Sequence, residues 1–170
     1  MPLFRLELSD RQSFVRLTPA FLRSVFRRTL ASELVTSAEV SLALVDDREI
    51  HRVNREHLQH DYPTDVISFL YASESVRIKE QRPPSSGRIR LAINAGPGRG
   101  LHLEGEIVIS GETAVREAKI RKLPPQTELT LYLIHGLLHL CGYDDQTARD
   151  REAMQAREKA ILGLWGWSRE

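Results

Sequence analysis

The segment from Thr127 to Leu140 constrains the fold most, because it is apolar on every side and yet carries two imidazoles. Leu129, Leu131, Leu133, Ile134, Leu137, Leu138 and Leu140 leave no polar stripe at helical spacing, so a helix here has to be buried all round. His135 and His139 then stand at i and i+4 on one face, about 6 Å apart along the axis. A buried histidine in such a helix is commonly a core residue with a hydrogen-bond partner. Two of them on one face, costly to bury without partners, suit a shared metal ion better. Gly142 follows where a left-handed residue ends a helix, and a turn there brings Asp144 or Asp145 back toward the histidines. Two imidazoles, one carboxylate and an open position form the donor set of a catalytic zinc; manganese or nickel also fits such ligands.

The 170 residues, with 41% hydrophobic and 28% charged content, predict one ordinary domain with a core of its own. A net charge of +1 argues against a general polyanion-coating role, so local charge matters more. Charges interrupt the first residues, and no run reaches membrane-spanning length, which predicts neither export nor a membrane partner. Cys141 is the single cysteine, so no disulfide is expected and a reducing cytoplasm is; the thiol reads as core.

Alternation predicts strands over about 3–8 and 38–45, a further strand after Asp65, and one over Glu106–Ser110. Thr18-Pro19 opens a helix reaching about Ser32, with Arg23, Arg27 and Arg28 on its solvated side. Asp46 with Glu49 caps another helix through Leu58. Gly111–Lys122 forms a helix carrying Arg116, Lys119, Arg121 and Lys122 near one side, stopped by Pro124-Pro125. A last helix runs from about Gln146 to Leu162, with Met154, Ile161 and several alanines turned inward. The order predicts an α+β fold: one domain over residues 1–170, a small mixed four-stranded sheet packed with helices. Residues 72–103, rich in Pro and Gly, read as a flexible loop with at most one short strand near Ile89–Ile93. That loop holds Arg77, Lys79, Arg82, Arg88, Arg90 and Arg99 against Glu74 and Glu80, so it is +4 and the remainder is about −3. A basic loop near a metal site suits a phosphate-rich substrate; a solvated loop with no partner fits equally.

A divalent ion activates water and polarises a carbonyl or phosphoryl oxygen, which makes hydrolysis the expected reaction. In the zincin motif H-E-x-x-H the glutamate is the general base. Gly136 occupies that position here, so peptide hydrolysis lacks its base unless Asp65 or Glu112 serves. Phosphodiester cleavage depends more on charge stabilisation by a metal and Arg or Lys.

Three segments carry a family resemblance. His135-Gly-Leu-Leu-His139-Leu-Cys-Gly-Tyr-Asp144 resembles the H-G-x-L-H-L-x-G-Y-D signature of the bacterial YbeY family of metal-dependent endoribonucleases and ribosomal RNA maturation factors. Pro63-Thr-Asp-Val-Ile-Ser-Phe69 is similar to its P-T-D-V-L-S-F strand, Gly105-Glu-Ile-Val-Ile-Ser110 to its G-D-I-V-I-S strand, and Asn54 to the asparagine upstream. The resemblance implies a fold like a pared-down metalloprotease and a zinc held by His135, His139 and Asp145. Asp145 stands where the family usually has a third histidine, and Asp144 is left to orient the turn. It also implies action on single-stranded RNA in ribosome biogenesis, notably maturation of the 3′ end of small-subunit ribosomal RNA, with that RNA and the small subunit as partners and no DNA. A Tyr-Arg pair usual in the family is replaced by His57-Leu58. Asp65 and Arg116 are accordingly assigned as catalytic, and Arg55, Arg99 and Lys119 as substrate-binding. The alternatives are a ribosome-associated assembly factor with a structural metal and a small metallopeptidase.

Overall fold

A computed structural model describes residues 3–75 and 97–168. Along these the chain runs β1 (Leu3–Asp10), α1 (Pro19–Ser32), β2 (Ser37–Val45), α2 (Asp47–Leu58), β3 (Val66–Ser75), β4 (Leu101–Ser110), α3 (Gly111–Arg121), α4 (Pro125–Leu140) and α5 (Ala148–Leu162), closing with a 3-10 turn at Gly163–Trp165. The caps read from sequence are made: the Thr18 hydroxyl accepts the Phe21 N–H at 3.1 Å and the Asp46 carboxylate accepts the Glu49 N–H at 2.9 Å. The strands form one sheet in the order β1-β2-β4-β3, parallel except for antiparallel β3. This is the α+β fold with a mixed four-stranded sheet that the element order predicts.

Side-chain alternation splits the sheet into two faces. Ala38, Val40, Leu42 and Leu44 of β2, with Leu103, Ile107 and Ile109 of β4, meet α1 and α4 in the main core. On the other face Val45, Ile67 and Val108 form a small cluster with Ile50 of α2. Helix α4 touches the sheet, α1, α3 and α5 at once, which is the physical reason it can be apolar all round. The one acid in that buried helix, Glu128, is fully buried and accepts two bonds from Arg121 Nη1, at 2.9 and 3.1 Å.

Two expectations change. Both ends of the predicted 72–103 loop are strand instead, because β3 continues to Ser75 and β4 begins at Leu101. Leu101 to Glu104 pair with β3 and supply the alternation, and Pro97–Gly100 form a turn immediately before them. The short strand expected near 89–93 lies outside the described residues. In α5 the inward stripe is Met154, Glu158, Ile161 and Leu162, and Ala153, Ala156 and Ala160 are exposed. The spacing 154, 158, 161, 162 makes one helical face, which turns the alanines to solvent and a carboxylate inward.

Beside the sheet, Asp47 ties α2 to α3. Its Oδ1 accepts the Ser110 and Thr113 hydroxyls, both at 2.6 Å, its Oδ2 accepts Arg116 Nη1 at 2.7 Å, and its own N–H donates to Glu112 at 2.9 Å. Burial alone would raise the Asp47 pKa, but these bonds and the Arg116 charge outweigh it and hold the carboxyl below its ordinary 3.8. A depressed folded-state value stabilises the fold above the unfolded pKa, and that contribution is lost as pH falls from about 3.8 through the lower folded value. Asp47→Asn is therefore expected to lower the urea midpoint at neutral pH, with the gap to the parent protein closing in strong acid. A gap independent of pH would show that the charge of Asp47 contributes nothing.

Candidate metal centre

The end of α4 builds the site. Cys141 caps the helix and Gly142 follows at φ +104°, a left-handed conformation that a side chain would strain. The Gly142 N–H returns to the His139 carbonyl and the Tyr143 N–H to the Leu138 carbonyl, both at 3.0 Å, which is the Schellman pattern. The Pro97–Gly100 turn packs against Cys141 and Gly142 from outside. The chain therefore doubles back, and the Asp144 side chain secures the reversal by accepting the Asp145 N–H at 2.7 Å. Asp145 is left facing the histidines.

His135 Nε2 and His139 Nε2 are 3.0 Å apart, and Asp145 Oδ2 lies 3.8 Å from the first and 3.5 Å from the second. The outer nitrogens decide what these atoms are. His139 Nδ1 meets the Tyr143 carbonyl at 3.0 Å, and a carbonyl only accepts, so Nδ1 carries the proton. His135 Nδ1 meets the Glu158 carboxylate, which likewise takes its N–H. In the neutral rings both Nε2 atoms then present lone pairs to each other and to a carboxylate oxygen. Such a convergence is repulsive unless a proton or a metal cation is shared between the atoms. For zinc bonds of about 2.0–2.1 Å a tetrahedral edge is about 3.3 Å, which the three separations bracket. The residues present thus fit a divalent ion, with Glu158 and the Tyr143 carbonyl orienting the imidazoles. Burial disfavours a charged His135, yet its bond to Glu158 and the charges of Glu158, Asp65 and Asp145 overcome that and raise its pKa.

Glu158 went unnoticed in the sequence. It is 5% exposed, and its signal is a carboxylate at the buried 158 position of a stripe otherwise made of Met154, Ile161 and Leu162. Glu158→Gln keeps the shape and removes the charge, and it is expected to weaken zinc binding about tenfold in competition with a chromophoric chelator. Unchanged affinity would reduce Glu158 to packing.

A cleft of about 140 Å³ opens beside His135 and Asp145, walled by Asp65, Arg151 and Glu158 over Leu131 and Met154. Asp65 is fixed there from β3 and β4: its Oδ1 accepts the Val66 N–H at 2.8 Å, and its carbonyl accepts the Ser110 N–H at 2.9 Å. Buried Asn54 steadies the approach by donating to the Tyr62 carbonyl at 2.8 Å. The other assigned cations are elsewhere. Arg116 is bound to Asp47, while Arg55, Arg99 and Lys119 are exposed on α2, the 97–100 turn and α3, and none of the four lines this cleft. Glu112 caps α2 instead of facing the cleft.

A sequence model of the endoribonuclease YbeY family matches residues 7–166. The chain belongs to the YbeY family. Endoribonuclease YbeY of Syntrophotalea carbinolica is 37% identical over 161 residues, covering 92% of this chain and 93% of that one. The Moorella thermoacetica YbeY is 40% identical over 149 residues, covering 87% and 86%. The solution structure of the Thermotoga maritima protein TM1509 shares the fold at a TM-score of 0.51 and 19% identity, over 96% of this chain and 91% of that one.

Within the YbeY family frame, Gly136 takes on a different meaning from a missing base. A Cβ there would stand 3.0 Å from Ile107 Cγ2 and 3.2 Å from Ser68 Oγ, so the position faces the sheet and lets α4 settle on it. At the end of α2, His57 lies edge-on to Phe69 with ring centres 5.8 Å apart, and Leu58 is exposed. Among the described residues, no helix is long and apolar enough to cross a membrane.

Proposed function

We propose that this protein is a metal-dependent, single-strand-directed endoribonuclease of ribosomal RNA processing, acting at the 3′ end of small-subunit ribosomal RNA and in ribosome assembly in the cytoplasm, with zinc as its ion. The convergence of two imidazole lone pairs and one carboxylate carries the metal dependence. A divalent ion held by His135, His139 and Asp145 would supply Lewis acidity and a water of lowered pKa. Asp65, which lines the same cleft and whose carboxylate accepts the Val66 N–H, would take a proton from the attacking hydroxyl or water. Glu158 keeps the His135 Nε2 lone pair directed inward. Arg55, Arg99 and Lys119 suit an outer track for the RNA backbone, and Arg116, bound to Asp47, belongs with them rather than beside the reacting phosphate.

Purified protein is expected to cut single-stranded RNA, to stop on chelation and to recover with added zinc. Cleavage undiminished in metal-free protein would overturn this reading. RNA or small-subunit binding without turnover would instead favour an assembly factor with a structural metal. A peptidase has little support, since Gly136 faces Ile107 and Ser68.

A further inference from the structure

We propose that Arg151 is the phosphate-binding residue of this cleft, the cation that brings an RNA backbone phosphate to the ion held by His135, His139 and Asp145. The inference rests on the nuclease reading and adds a residue to it. Among the described residues, Arg151 is the one cation lining the cleft. It sits in the first turn of α5, and its Nη1 donates to the carbonyls of Gln146 at 2.9 Å and Asp145 at 3.2 Å. Those two bonds fix a long side chain in advance, so little further entropy is lost when it takes a ligand. Nε and Nη2 have no hydrogen bond within the described residues, which leaves a guanidinium edge open for two parallel bonds to phosphate oxygens.

Charge makes the same case. The cleft is lined by three carboxylates, Asp65, Asp145 and Glu158. A carboxylate ligand in place of a neutral one already lowers the net charge of the metal centre. With a divalent ion bound and both imidazoles neutral, the cleft without Arg151 would still be net negative and would repel a phosphodiester. The Arg151 charge brings the metal-bound cleft to neutrality, and its position over the Asp145 carbonyl puts that charge beside the ion.

The test uses zinc-bound protein and two probes: a short single-stranded RNA for kcat and KM, and a 2′-deoxy oligonucleotide for binding from about 50 to about 200 mM salt. Arg151→Gln is expected to raise KM about tenfold and to flatten the log–log salt slope by about 0.7, the value for one lost single-strand phosphate contact. Arg151→Lys keeps the charge and should keep the slope. Arg149→Gln makes the same charge change two residues away on exposed helix surface and should leave the slope in place. An unchanged slope in Arg151→Gln, or equal flattening in Arg149→Gln, overturns the proposal. Loss of zinc from both Arg151 variants also overturns it, since Arg151 would then only brace the ligand turn. If the parent protein binds the deoxy probe but cuts no RNA, the nuclease reading fails while the slope still decides the role of Arg151.

Discussion

A His139→Ala variant is expected to lose bound metal and RNA cleavage together while keeping its fold. The side chain is about a quarter exposed, and the helix end it belongs to is closed by backbone bonds from Gly142 and Tyr143 rather than by the imidazole. When both rings are neutral, removing one of two lone pairs held 3.0 Å apart also relieves a repulsion in the metal-free protein. The metal-free variant should therefore unfold no more easily than the metal-free parent. Zinc separates them. In the parent a ligand at about 100 times its dissociation constant adds about 2.7 kcal/mol, read as a rise in Tm, and in the variant that rise should vanish. Cleavage should fall by more than the roughly 10- to 100-fold range that marks the loss of an outer partner such as Glu158, because a direct ligand is gone. A metal-free variant that cuts RNA at the parental rate would remove the ion from the reaction.

The histidines were readable because their information is local: the spacing of 135 and 139, the apolar run around them and Gly142 after it are all properties of one helix and its cap. The Thr18 and Asp46 caps and the alternation of β2 were readable for the same reason. What sequence periodicity withholds is which face of one helix docks on another element. Glu158 lies 23 residues from His135 in the chain, and Arg157 lies 124 from Glu33, yet each pair is in contact. On α5 the run Arg149 to Lys159 is so rich in charge that no apolar stripe announces the inward face. By composition the alanines compete for that face, and the same ambiguity hides Glu158. Arg151 was missed because only the packing of α5 beside Asp145 makes it different from its charged neighbours. Gly136 shows the converse case: a residue compared by motif position with a catalytic base turns out to be needed for the approach of α4 to Ile107.

Arg157→Met is expected to destabilise the protein by about 3–5 kcal/mol, the cost of breaking a buried ion pair by removing one member. Glu33 is fully buried at the end of α1, and Arg157 of α5 donates to its Oε1 through both Nε, at 2.9 Å, and Nη2. The other Glu33 oxygen accepts the Tyr143 hydroxyl at 2.9 Å. Tyr143 in turn supplies the carbonyl that holds the His139 Nδ1–H, so the ion pair reaches the metal through one residue. The Arg157→Met variant should therefore show a lowered urea midpoint and a zinc affinity about tenfold weaker, in the range for an outer partner that orients a ligand. Pairing it with Glu33→Leu separates the two effects. A buried ion pair replaced by apolar residues of similar volume commonly loses little stability, so the double variant should recover most of the midpoint. Its zinc affinity should stay low, because the Tyr143 hydroxyl has lost the Glu33 carboxylate that helps to set the carbonyl above His139. Recovery of both properties together would mean that the Glu33 and Arg157 pair supports the fold alone and that the turn from Gly142 to Asp145 holds His139 without it.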